Sequence, residues 1–215
     1  MATETIAESL QRKRVLIFNS KKPQIAPKLA LFGIDATHQT TGETLYNEVI
    51  TLYEKQKQEG QEESLAYDNS FKVESKCKTK YKLNRKIIKM ASRADKDLQS
   101  RIKINDYQER KIEVWIAQTI NFYNLVLNEV EFLESIARFG ITSESLIQDK
   151  SDLETLKTLR NEALSERGEA QEATRLRDLK MDELQDYCYE LRTIAKIALS
   201  GEPQLLEMLG IIVRK

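Results

Sequence analysis

Residues 105–139 read NDYQERKIEVWIAQTINFYNLVLNEVEFLESIARF. Apolar side chains from Ile112 through Trp115, Ile120, Tyr123, Val126, Leu133 and Ile136 to Phe139 fall on most sides of a helical wheel. No Pro or Gly interrupts them before Gly140. A helix that is apolar nearly all round is covered by neighbours on several faces. Glu113, Gln118, Asn121, Asn124, Asn128, Glu129 and Glu131 recur too often for a membrane span. The stretch, with the only Trp of the chain, is therefore expected to be the central helix of a water-soluble bundle.

Composition points the same way. Of 215 residues, 32% are charged and 40% apolar, with only 7 Gly and 3 Pro. Long surface-exposed helices have this balance. All-β and α/β chains need more turn chemistry, and the apolar share is enough to form a core.

The formal charge is zero, 34 basic against 34 acidic residues, but it is unevenly spread. Residues 1–107 hold 20 Lys/Arg and 14 Asp/Glu, a net of +6, and residues 108–215 hold 14 and 20, a net of −6. Halves of opposite sign are expected to attract, within a molecule or between molecules. Cys77 and Cys188 lie in no metal or redox motif, which fits a reducing compartment. After Met1 come Thr3, Glu4 and Glu8, and Val15–Phe18 is too short for a signal sequence, so the expected location is cytoplasmic.

Going back to the start, residues 5–20 read as a helix carrying Ile6, Leu10, Val15, Leu16 and Phe18. Pro23 and Pro27 suit the first turn of a short helix ending near Phe32. Gly33 suits a left-handed helix end, and Asp35–Gly42 reads as a loop holding His38, the only histidine. Thr40 with Glu43 forms a capping-box pattern. From there a single long helix is expected over about residues 41–92, passing through Gly60 with a kink at most.

The chain then matches itself at an offset of 107: Phe139-Gly140-Ile141 on Phe32-Gly33-Ile34, and Arg192 to Ala198 on Arg85 to Ala91. Leu205, Leu209 and Ile211 fall on Leu98, Ile102 and Ile104, and Gly168 lies one residue out of register with Gly60. Ser151 with Glu154 looks like the cap of a second long helix, running to about Leu199 and stopped by Gly201 and Pro203. This is the signature of an internal duplication. Repeat 1 covers about 5–104 and repeat 2 about 105–211, within a single domain over 1–215. The expected fold is all-α, an elongated antiparallel four-helix bundle made of two duplicated long helical hairpins.

The aromatic-Gly-Ile step, the long polar helix and the tail Leu205-Leu206-Glu207-Met208-Leu209-Gly210-Ile211 resemble an uncharacterised bacterial family of tandem helical-bundle proteins. The resemblance covers most of the chain, rests on structural motifs and implies no active-site residue.

Catalytic chemistry finds little to stand on. Di-metal bundles need Glu-x-x-His pairs, and residues 34–37 before His38 are Ile, Asp, Ala and Thr. His38 reads as a solvated loop residue. One histidine, no Gly-x-Ser-x-Gly turn and no Gly-x-Gly loop argue against triads and phosphate loops. No enzyme activity, catalytic residue, metal or cofactor is expected.

The sharpest local feature is basic: Lys72, Lys76, Lys78, Lys80, Lys82, Arg85, Lys86 and Lys89, with Phe71 and Tyr81 interleaved. One reading pairs it with the acids at the matching end of the second long helix, Asp178, Asp182, Glu183, Asp186 and Glu190, and another makes it a solvated face. The alternative is contact with nucleic-acid phosphates. The leading expectation is a non-enzymatic scaffold or interaction protein, with a protein partner or self-association and no membrane span. Nucleic-acid binding through the strip, and a small ligand or ion in the bundle core, are the alternatives.

Overall fold

The computed structural model describes residues 5–212, so Thr3 and Glu4 lie outside the described residues. Every regular element among those described is helical. In order they are α1 (Ile6–Ser20), α2 (Ala26–Ala30), α3 (Ala36–Ala91), α4 (Lys96–Arg101), α5 (Ile112–Leu127), α6 (Val130–Ile136), a 3-10 turn (Ala137–Phe139), α7 (Ser143–Ala198) and α8 (Pro203–Met208). No helix is long and apolar enough to cross a membrane among the described residues.

Two helices dominate, α3 and α7, of 56 residues each. Both run unbroken through a glycine, Gly60 and Gly168, where a Cβ would meet open space. An isolated exposed Gly costs about 1 kcal/mol and does not by itself end a helix. Both helices start earlier than the capping patterns suggest. Asp35 caps α3, its carboxylate accepting from the His38 amide at 2.9 Å. Thr142 caps α7, its hydroxyl accepting from the Ser145 amide at 3.2 Å while the Thr142 amide donates to Ser145 Oγ at 2.9 Å. Thr40–Glu43 and Ser151–Glu154 therefore lie inside helices, and Asp35–Gly42 is mostly helical. Thr40 and Thr41 spend their hydroxyls within the helix, donating to the carbonyls of Ala36 and Thr37 at 2.9 and 3.1 Å, rather than capping it.

The stretch 105–139 is not one helix. Residues 105–111 form a polar loop held from outside. Arg85 Nη2 donates to the carbonyls of Ile104 and Asp106 at 2.7 and 2.8 Å, and the Glu109 amide donates to Gln118 Oε1 at 3.1 Å. The helix that follows ends at Leu127. Arg101 grips Glu129 with two hydrogen bonds of 2.8 and 2.9 Å just before α6 begins. Gly33 and Gly140 end their segments with φ of 90° and 82°, the left-handed conformation that glycine adopts without strain.

Contacts divide the chain into two compact units: Met1–Glu59 with Glu169–Lys215 (unit 1), and Gly60–Gly168 (unit 2). Neither coincides with the repeats expected over about 5–104 and 105–211, since unit 1 joins the two ends of the chain and unit 2 takes its middle. The opposite charges of the two halves are mixed by this division. Unit 1 carries 15 Lys/Arg and 16 Asp/Glu, net −1, and unit 2 carries 19 and 18, net +1.

Each unit has its own interior. In unit 1, Leu10, Leu16 and Ile17 of α1, Leu29 of α2 and Val49 of α3 pack with Leu184, Leu191 and Ala195 of α7 and Leu206 of α8. Asn19 donates to the Met208 carbonyl at 2.6 Å, fastening the end of α1 to the end of α8. In unit 2 the interior is aromatic. Tyr81 stands edge-on to Trp115 and Phe122 with ring centres 5.7 Å apart, and to Tyr123 at 6.1 Å. Ile88, Ile102, Ile136, Leu146 and Leu153 complete it. Trp115 is 5% exposed. Edge-to-face rings add about 0.5–1.5 kcal/mol per pair beyond the area they bury.

A candidate anion-binding groove

All eight cations of the basic strip lie on the part of α3 that belongs to unit 2, and the helix turn sorts them into three groups. Lys76 and Lys80 face α7. Lys80 Nζ reaches Asp149 at 2.6 Å and Asp152 at 3.3 Å, and Lys76 reaches Asp152 at 3.2 Å. Asn84 donates to the other Asp149 oxygen at 2.7 Å and lies 3.3 Å from the Tyr123 hydroxyl, so a polar network runs from the surface to the aromatic core. The hydrogen bond to Asp149 holds the Lys80 ammonium above the ordinary lysine range. The pairing partners are thus Asp149 and Asp152, whereas Asp178, Asp182, Glu183, Asp186 and Glu190 belong to unit 1.

The second group lines a groove. Lys78, Lys82, Arg85, Lys86 and Lys89 form one side and the loop residues Gln108, Glu109 and Arg110 the other, with Tyr81 and Trp115 in the wall. The groove holds about 710 Å³. Six cations thus surround one carboxylate, that of Glu109. Lys78 is partly engaged, bonded to Glu74 at 2.6 Å and lying 5.7 Å over the Trp115 ring. Arg85 spends its fork on the loop carbonyls. Lys82, Lys86, Lys89 and Arg110 have no ion pair or hydrogen bond among the described residues. Lys82 and Lys86 are also four apart on one helix, and such a like-charged pair costs about 0.2–0.5 kcal/mol unless an anion lies between.

Lys72 forms the third group alone, exposed on α3 and lining neither the groove nor its extension. That extension is a shallower hollow of about 250 Å³, sharing Lys78 and Lys82 and bordered by Phe71, Glu74, Ser75 and Thr79. Phe71 is 69% exposed.

Two contributors escape a reading by helical periodicity. Arg110 and Glu109 sit in a loop that the apolar pattern folds into the central helix, and only the Arg85 and Gln118 hydrogen bonds bring it over α3. The one usable signal is the polar run Asn105–Lys111 itself.

His38 is part of the first turn of α3 rather than a solvated loop. Its ring stacks on Tyr187 with centres 4.8 Å apart, and Nε2 lies 3.7 Å from Glu190. The Tyr187 hydroxyl donates to the His38 carbonyl at 3.1 Å. These contacts fix the Tyr187 ring over Gly42.

Cys77 and Cys188 are free and buried, one in each unit. Burial pushes both thiols up to about 11, away from the reactive thiolate. No family model, curated protein or solved structure matches this chain.

Proposed function

We propose that this is a non-enzymatic binding protein whose groove along α3 engages the phosphates of a nucleic acid. One observation carries the proposal: Lys82, Lys86, Lys89 and Arg110, none of them in an ion pair among the described residues, line one groove whose lining holds a single carboxylate, Glu109. A protein of near-neutral unit charge gains nothing in solubility from such a focus. A polyanion would neutralise it and release counterions, which makes the binding strongly salt-dependent. Acidic residues elsewhere keep the site local rather than spread over the surface.

The scaffold fits an association role. We read it as duplicated hairpins whose halves interleave, each unit an antiparallel helical bundle drawing on both copies. The bounds of α3 and α7, and of α4 and α8, support the duplication, since each pair starts and ends 107 residues apart.

The test is fluorescence anisotropy with labelled random-sequence nucleic acid at low salt, comparing the wild type with a triple variant, Lys82→Glu, Lys86→Glu and Lys89→Glu. All three side chains are exposed, so circular dichroism should show an intact helical fold. The wild type should bind with an affinity that falls steeply as salt is raised, and the variant should lose at least about tenfold. Equal binding by the two proteins, or none by the wild type, overturns the proposal.

A further inference from the structure

Resting on the nucleic-acid reading above, we infer that the strand held is single, laid lengthwise along α3 from Lys89 to Phe71, with Phe71 as a platform for one unstacked base. The cations supply the track. Lys78, Lys82 and Lys86 recur every four residues, a rise of about 6 Å per step along the helix. That is comparable with the separation of successive phosphates on one strand. Arg110 and Gln108 close the opposite side, so the phosphates would lie between a helix and a loop.

The aromatic end distinguishes a base-bearing strand from a bare polyanion. The groove and the hollow beside it share Lys78 and Lys82, and the hollow runs on past Glu74, which is bonded to Lys78, to Phe71. Phe71 is 69% exposed and borders that hollow, so its ring has an open face. Sequence-tolerant single-strand proteins combine a basic groove with exposed rings on which bases stack. Trp115 and Tyr81 cannot serve that purpose, being 5% and 6% exposed. Only Phe71 lies on the track with an open face. Trp115 instead offers a reporter. It is the only Trp, it lines the groove, and Lys78 lies over its ring.

The experiment uses the full chain and its Phe71→Ala variant, an exposed position whose loss leaves the core untouched. Oligo-dT of about 12 nucleotides, a duplex of equal length, inorganic polyphosphate and polyglutamate are titrated at low salt. Trp115 emission and anisotropy are followed. The inference expects oligo-dT to bind more tightly than duplex and to change Trp115 emission. Phe71→Ala should weaken oligo-dT at least about fivefold and leave polyphosphate unchanged. Duplex binding as tight as oligo-dT, or oligo-dT binding indifferent to Phe71→Ala, overturns the single-strand inference while leaving the nucleic-acid reading standing. Retention of neither nucleic acid, or polyglutamate held as tightly as oligo-dT, overturns both and points to an acidic protein partner.

Discussion

Gly42 and Tyr187 in unit 1 stand 107 residues from Asp149 and Lys80 in unit 2, and the two pairs hold α3 against α7 by opposite physics. In unit 1 a large ring presses on a residue with no side chain, and a Cβ at Gly42 would overlap the Tyr187 ring. In unit 2 the same positions carry an ion pair, Lys80 to Asp149 at 2.6 Å, extended through Asn84. The difference continues around the groove. At the same offset Lys82, Lys86 and Lys78 correspond to Tyr189, Thr193 and Gln185, and Trp115 to the exposed Glu8. Only Arg85 and Lys89 keep a cation, as Arg192 and Lys196. One helical plan thus tolerates either an apolar or a charged contact at its seam, and unit 2 alone has concentrated charge beside it.

The largest expected effect tests what the units share. Each buries a thiol and a tyrosine: Cys188 and Tyr187 in unit 1, Cys77 and Tyr123 in unit 2. Burial raises the pKa of all four groups. The folded state therefore favours the neutral form. Stability is intact below the ordinary thiol value of 9.0 and falls as pH rises from there toward about 11, because only the unfolded chain can shed its protons in that window. Denaturant midpoints measured from pH 8 upward should drop, by on the order of 2 kcal/mol per thiol at the upper end. A midpoint flat across that range would show that the thiols are not protected, and labelling of one thiol before the other would show which unit opens first.

Gly42→Ala comes next. Outside its context, Gly to Ala in a helix gains about 1 kcal/mol. Here the methyl meets a ring held by His38 on one side and by its own hydroxyl bond, so overpacking should cost about 2–3 kcal/mol. Gly60→Ala, into open space, is the control and should stabilise slightly. Thermal melts that rank the two variants the other way would remove the steric account of unit 1.

Asp149→Ala should cost somewhat less, about 1–2 kcal/mol. It leaves Asn84 only the longer bond to the Tyr123 hydroxyl at 3.3 Å, while Lys80 keeps Asp152 at 3.3 Å. The loss should shrink in high salt only for the Lys80 share. A neutral result would mean that the seam of unit 2 rests on its apolar contacts alone.

Much of this fold could be read from local chemistry. Gly33, Gly140 and Gly201 all take positive φ at the helix ends where the chain pattern puts them. α3 ends at Ala91, and Gly60 does not break it, because one glycine costs only about 1 kcal/mol within a helix of 56 residues. The basic strip was visible as composition. Its sorting was not, since helical periodicity places Lys80 and Lys82 on different faces without saying that Asp149 waits beside one and open solvent beside the other.

What the amino-acid order determined by itself was therefore an all-helical chain with two long helices and the places where those two stop, because glycine conformation and apolar spacing act within a few residues. Only the tertiary structure decided that residues 105–111 leave the helix, where Arg85 from α3 satisfies carbonyls that an α-helix would otherwise have used. It also decided that the chain folds as two units with separate cores, one joining Met1–Glu59 with Glu169–Lys215 and the other taking Gly60–Gly168. Burial energy depends on which apolar faces meet, and similarly spaced stripes on α3 and α7 do not specify their partners until loops, charges and side-chain volumes such as Gly42 against Tyr187 are in place.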